Sequence, residues 1–130
     1  MSDNREQAIK LKLQKANALL GEAEVLMQNK FYATVINRLY YGCFHATKAL
    51  LLTKDLTPKT HSGVINLLYL HFVQPGLFDM EQASFYSRLL QERMEEDYSD
   101  FIIEDAETTE GFIIPAKDYV SYVEGLIKTA

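Results

Sequence analysis

Residues 31–53 read Phe31-Tyr-Ala-Thr-Val-Ile-Asn-Arg38-Leu-Tyr-Tyr-Gly-Cys-Phe-His45-Ala-Thr-Lys48-Ala-Leu-Leu-Leu-Thr53, a helix-length run that is apolar almost all round. A helix with no polar face is one that neighbours cover on every side, so this segment is expected at the centre of the fold. Its exceptions are informative. At about 100° per residue, Arg38 and His45 fall within about 20° of each other and roughly 10 Å apart along the axis. Tyr41 and Lys48 lie close to the same line, giving a basic and aromatic stripe on an otherwise apolar helix. Burying such groups unpaired costs several kcal/mol, so the stripe requires a partner.

Outward from this segment the helical period persists. Ile9, Leu13, Ala16, Leu20, Ala23 and Met27 recur at three- and four-residue steps, predicting an amphipathic helix over 4–27 that is joined to the central one by Gln28-Asn29-Lys30. Thr57-Pro58 is a start signal for a third helix with Val64, Leu67, Leu68 and Phe72 on its apolar face, ending before Pro75-Gly76. Asp79 with Gln82 reads as a capping box for a fourth helix running to about Tyr98. The acidic 99–107 stretch reads as a loop. In the last pattern, from Phe112 to Ile127, Pro115 either kinks the helix or marks its true start. No segment alternates with period two, and the short connections favour antiparallel neighbours. The expected fold is an all-α, up-down antiparallel bundle of four to five helices, one domain over 1–130.

With 130 residues and 48% hydrophobic content, the chain is long enough for one core. A single cysteine, Cys43, excludes an internal disulfide framework and is most simply a core residue. No apolar run approaches the ~20 residues of a membrane span, and the N-terminus lacks a signal-peptide core, so a soluble, cytoplasmic protein is expected. The net charge of −5 is segregated: residues 1–60 hold nine Lys/Arg against five Asp/Glu, whereas 61–130 hold four against thirteen. A polyanion would be repelled by the second half, so contact with nucleic acid is confined to the first.

Asn37-Arg-Leu-Tyr-Tyr-Gly-Cys-Phe-His-Ala-Thr-Lys-Ala-Leu-Leu51, followed by Pro58-Lys-Thr-His-Ser-Gly-Val-Ile65, resembles the HEPN superfamily, specifically its small UPF0332-type proteins. The likeness continues through His71-Phe-Val73 and the Arg93…Asp97-Tyr-Ser-Asp100 segment, covering roughly residues 5–125. It implies a helical bundle that commonly dimerises and an Arg-x4–6-His motif, matched by Arg38 and His45, used for metal-independent RNA cleavage. It also implies a minimal nucleotidyltransferase as antitoxin partner, although other members only bind nucleotides or act as scaffolds. Where active members usually carry a polar residue directly after the arginine, this chain has Leu39.

The residues fit that chemistry. Cleaving RNA requires a base for the 2′-hydroxyl, an acid for the leaving oxygen and positive charge at phosphorus; an imidazole suits the first two roles and a guanidinium fork the third. Arg38 and His45 are therefore the expected catalytic pair, with Tyr40, Tyr41 and Lys48 as substrate-binding residues and no cofactor or metal. One pair is a thin site, and two pairs across a dimer two-fold would complete it, so a homodimer is expected. Structural roles compete. Arg38 can tie to Glu92, Glu95 or Glu96 of the fourth helix, and His45 can be a satisfied core histidine. His61 suits capping or a loop contact, and His71 a helix end. A zinc site from the three histidines fits no ligand spacing. Three functions stay open: a ribonuclease toxin, a non-catalytic nucleotide- or protein-binding module that supports a partner enzyme, and a purely structural bundle.

Overall fold

The computed structural model describes residues 3–98 and 106–129. They form α1 (Asp3–Gln28), α2 (Tyr32–Leu52), α3 (His61–Leu68), a π-helical turn continuing it (Tyr69–Val73), α4 (Met80–Tyr98), α5 (Ala106–Glu110) and α6 (Ile113–Thr129). This is the expected all-α up-down bundle. Twelve of the 21 residues of α2 are buried, and α1, α3, α4, α5 and α6 all pack on it. Its apolar circumference is the cause: each neighbouring helix offers one apolar stripe, and α2 is the common surface those stripes cover.

α1 and α2 approach each other closely at Gly42. A Cβ on Gly42 would stand 3.1 Å from Leu20 Cδ2 and 3.3 Å from the Ala16 carbonyl oxygen, so the absence of a side chain there sets the spacing of the two helices. Ala16 and Ala23, both fully buried, keep the rest of that seam thin.

Helix ends are closed by one recurring device. Phe31 N–H donates to the Leu26 carbonyl and Lys30 N–H to Met27, with Lys30 at φ 64°. The same pair of bonds runs from Leu56 to Leu51 and Asp55 to Leu52, around Asp55 at φ 59°. A third closes the π turn around Gly76, at φ 82°, where glycine carries no Cβ penalty. Lys30 and Asp55 each bear a left-handed cost of about 1 kcal/mol, offset by the two carbonyls they satisfy.

Three local expectations are corrected. α3 starts at His61, not at Thr57-Pro58, because the Thr60 hydroxyl accepts from Gly63 N–H at 2.9 Å and is the effective cap. The Asp79 backbone N–H donates to the Tyr122 hydroxyl of α6 at 2.8 Å, so it is a tertiary contact and not Gln82 that occupies the reciprocal place in the capping box. In the acidic stretch, residues 106 and 107 open α5 instead of continuing a loop, while 99–105 lie outside the described residues. Pro115 produces no kink: it sits in the first turn of α6, where its missing N–H is not needed, and Ala116 N–H reaches the Phe112 carbonyl.

The core contains a stack of tyrosines. Tyr40, Tyr86 and Tyr119, from α2, α4 and α6, are fully buried. Tyr40 and Tyr86 lie parallel within 3° at 5.9 Å, and Tyr86 and Tyr119 within 25° at 5.4 Å. Thr47 donates to the Cys43 carbonyl at 2.7 Å, which commits its proton, so the Tyr119 hydroxyl donates to Thr47. The stack fixes α4 and α6 against the face of α2 that neighbours the polar stripe.

Candidate functional site

Helical periodicity brings the polar groups of α2 to one face. Arg38 keeps about a third of its side chain exposed. Its Nη1 donates to the Asn37 side-chain oxygen at 2.7 Å, and its Nε lies 3.8 Å from Glu22 of α1. The acid beside Arg38 thus comes from α1, instead of Glu92 or Glu95 of α4; the Glu96 side chain lies outside the described ones. A pair this long and this exposed contributes well under about 1 kcal/mol, so the guanidinium can exchange Glu22 for a stronger anion.

His45 stands two turns further on, half-buried against Phe44 (ring centroids 5.4 Å) and Tyr41 (6.4 Å). Burial, and then the ammonium groups of Lys15, Lys48 and Lys12, push its pKa down to about 4. At neutral pH it is an uncharged imidazole set among cations, able to accept a proton. Lys48 spans the Phe44 ring at 5.3 Å, and its own pKa is lowered by burial and by Lys12 and Lys15. An anion entering here meets unneutralised positive charge, and its own charge would draw the His45 pKa back up.

The depressed pKa has a consequence for stability. The unfolded chain takes up this proton near pH 6.5 and the folded chain only near 4, so the contribution of neutral His45 is complete above pH 6.5 and is lost as pH falls towards 4. Urea midpoints measured from pH 7 to 4 are expected to fall more steeply for the wild type than for His45→Gln. Parallel profiles would show that His45 titrates normally.

Tyr41 is half-buried and joins the two ends of the stripe, while Tyr40 points inward. Fully buried and stacked on Tyr86, Tyr40 has no ring face for a base; burial pushes its phenol up to about 12. Its hydroxyl instead meets His61 Nδ1 at 2.7 Å. The simplest arrangement has the phenol donating, which leaves the ring proton of His61 on Nε2. Burial, followed by Arg93 and Lys48, lowers the His61 pKa as well.

Two residues were not singled out as site residues from the sequence. His61 does not cap α3, since Thr60 does; it packs on Phe44 at 4.9 Å and Tyr41 at 5.8 Å, the same rings that hold His45. Arg93 lies with its guanidinium carbon 5.2 Å from the Tyr41 ring and 5.3 Å from Tyr40. The sequence signal for Arg93 was spacing: it is seven residues after Tyr86, hence on the face of α4 that meets α2. The remaining candidates lie apart. The His71 carbonyl accepts from Lys54 at 2.7 Å in the π turn, and burial raises the Cys43 thiol far above the reactive range. Among the described residues no group of three or more His, Cys, Asp or Glu is placed to hold a metal ion. No helix among them is long and apolar enough to cross a membrane.

The family model and two of the relatives described next span this whole arrangement. The family model described as HEPN domain matches residues 9–128. A Thermotoga maritima protein named "UPF0332 protein" is 30% identical over 126 residues, covering 97% of this chain and 96% of its own. A Methanocaldococcus jannaschii protein named "Putative toxin" is 34% identical over 126 residues, covering 97% and 92%. A second protein of that organism bearing the same description is 35% identical over 86 residues, 66% of this chain and 58% of its own.

Proposed function

Because the chain belongs to the HEPN domain family, we propose that it is a metal-independent endoribonuclease, the toxin of a toxin–antitoxin pair, acting in the cytoplasm as a homodimer and restrained by a nucleotidyltransferase. The observation that carries this reading is His45: an imidazole kept neutral by burial, among Lys12, Lys15 and Lys48, on the face of α2 that also bears Arg38. The relatives named as toxins support the biological role.

In this reading the phosphodiester docks against the stripe, and Arg38 leaves Glu22 to bind the non-bridging oxygens. His45 takes the proton of the ribose 2′-hydroxyl, and O2′ attacks phosphorus. The bond to the 5′-oxygen breaks and that oxygen collects a proton from a second imidazole, one that has taken up a proton from water because the charge of the bound phosphodiester draws its pKa up, leaving a 2′,3′-cyclic phosphate. A two-fold axis close to the stripe supplies the second imidazole from the partner's copy of α2. The test is cleavage of single-stranded RNA in EDTA by purified protein, together with light scattering. The expected particle is about twice the 14.9 kDa of one chain; a monomer at micromolar concentration counts against the dimeric site.

One observation favours a second reading, a non-catalytic nucleotide- or protein-binding module that supports a partner enzyme. Leu39, in the place where active relatives carry a polar residue, is fully buried. A well-folded dimer that binds RNA or nucleotide but cleaves neither short nor structured RNAs would establish that reading.

A further inference from the structure

We propose that a lysine-lined cavity beside His45 holds a second phosphate of the RNA strand, the neighbour of the phosphate under attack. This deepens the ribonuclease reading, on which the identity of the strand rests; the charge that the cavity takes rests on the cavity itself.

The cavity, of about 200 Å³, lies between α1, the last turns of α2 and the loop leading to α3. Lys12, Lys48 and Lys59 line it over an apolar floor of Leu52, Leu56 and Pro58. Three other cations are neutralised in place: Arg5 by Asp55, Lys117 by Glu24 and Arg38 loosely by Glu22. Among the described residues none of the three cavity lysines has such a pair. Asp55, the one acid in the 53–60 loop, is held by Arg5 at 2.6 Å. Three ammonium groups are therefore gathered around a concave space with nothing of opposite sign in contact, an arrangement that favours an anion.

The floor narrows the choice of anion. Leucine and proline side chains offer nothing to a bare inorganic ion but suit the carbon face of a ribose. The volume accommodates a phosphate with its sugar and falls short of the ~300 Å³ at which pockets for drug-sized ligands begin. Position supplies the rest. Lys48 is shared between the cavity and the His45 environment, just under one helical turn or about 4.5 Å along α2 from that histidine. A strand with one phosphate at His45 and Arg38 would thus continue over Lys48 into the cavity. The lowered pKa of Lys48, due to burial and to Lys12 and Lys15, agrees with such crowding of like charge.

The test reads binding with uncleavable 2′-O-methyl strands, so that it does not depend on catalysis. A dinucleotide offers one phosphodiester and a trinucleotide two. Wild type is expected to bind the trinucleotide at least fivefold more tightly, and a neutral methylphosphonate in place of its second phosphodiester should remove that preference. The variant Lys59→Gln, which leaves Lys12 and Lys48 beside His45 intact, is expected to lose most of the preference while its dinucleotide affinity changes less than twofold. The slope of log affinity against log salt for the trinucleotide should fall by up to about 0.7, the value of one single-strand phosphate. An equal loss on both lengths, or a preference that survives the substitution unchanged, overturns the proposal. If ATP competes as well as the trinucleotide, with the same lysine dependence, the cavity is a free-nucleotide site and the strand assignment falls. In wild type, absence of cleavage of natural RNA with the length preference present overturns the ribonuclease reading alone; absence of the length preference with cleavage present overturns the cavity alone.

Discussion

His45→Ala is expected to lower the rate of RNA cleavage by at least ~10²-fold with the helical fold retained, because it removes the group proposed to transfer the proton, help that is usually of that size. Arg38→Ala should have a comparable effect through loss of the charge clamp. Arg38→Lys should not restore full activity, since lysine cannot span two oxygens with a planar fork. The pH profile separates this account from a generic requirement for charge. With the pKa of both copies of His45 at about 4 in the free protein, one needed neutral as base and the other protonated as acid, kcat/KM should pass through a maximum near pH 4 and fall towards neutrality. Lys48→Met, by removing one of the cations that depress the pKa, should move that maximum upward. A wild-type maximum near pH 6.5 would identify a different acid and base. Cleavage that survives in the Arg38/His45 double variant belongs to a contaminant, and well-folded wild type that cleaves no RNA is the binding module.

The fold was legible because its signals are one-dimensional. An all-round apolar α2 and one-sided stripes on α1, α3, α4 and α6 dictate which helix is central, and helical spacing alone puts Arg38, Tyr41, His45 and Lys48 on one line. What could not be read was anything supplied by a residue distant in sequence. Tyr122, 43 residues away, occupies the amide of Asp79 that a local capping box would have used. His61 enters the aromatic cluster only because Thr60 ends the preceding loop where it does, and Glu22 rather than an α4 carboxylate meets Arg38 because Gly42 lets α1 approach. Tyr40 illustrates the limit of a helical wheel: it adjoins Tyr41 in the chain, yet its ring lies wholly in the core and reaches the site only through His61.

Leu39 brings sequence pattern and packing into direct conflict, and its substitution is expected to have the largest effect on stability. The residue is fully exposed to the core and not at all to solvent, within the cluster that contains Ile36, Tyr40 and Cys43. Leu39→Asn, which would restore the polar residue usual after the arginine in active relatives, removes a buried aliphatic side chain at ~2–5 kcal/mol. It also leaves an amide to be satisfied there, at about 1–3 kcal/mol more. A total loss of at least about 3 kcal/mol is expected, read as a fall in Tm of about 10 °C or more for a chain of this size. Leu39→Met, which conserves volume, should cost less than about 1.5 kcal/mol and serves as the control. Cleavage per folded molecule should rise in neither variant, because the side chain at 39 is directed about 100° away from Arg38 around the helix and does not share its exposed face. If Leu39→Asn instead keeps its stability and cleaves where wild type does not, the side chain at 39 takes part in the site of the proposed dimer, and the wild-type leucine marks a chain that has given up catalysis for binding.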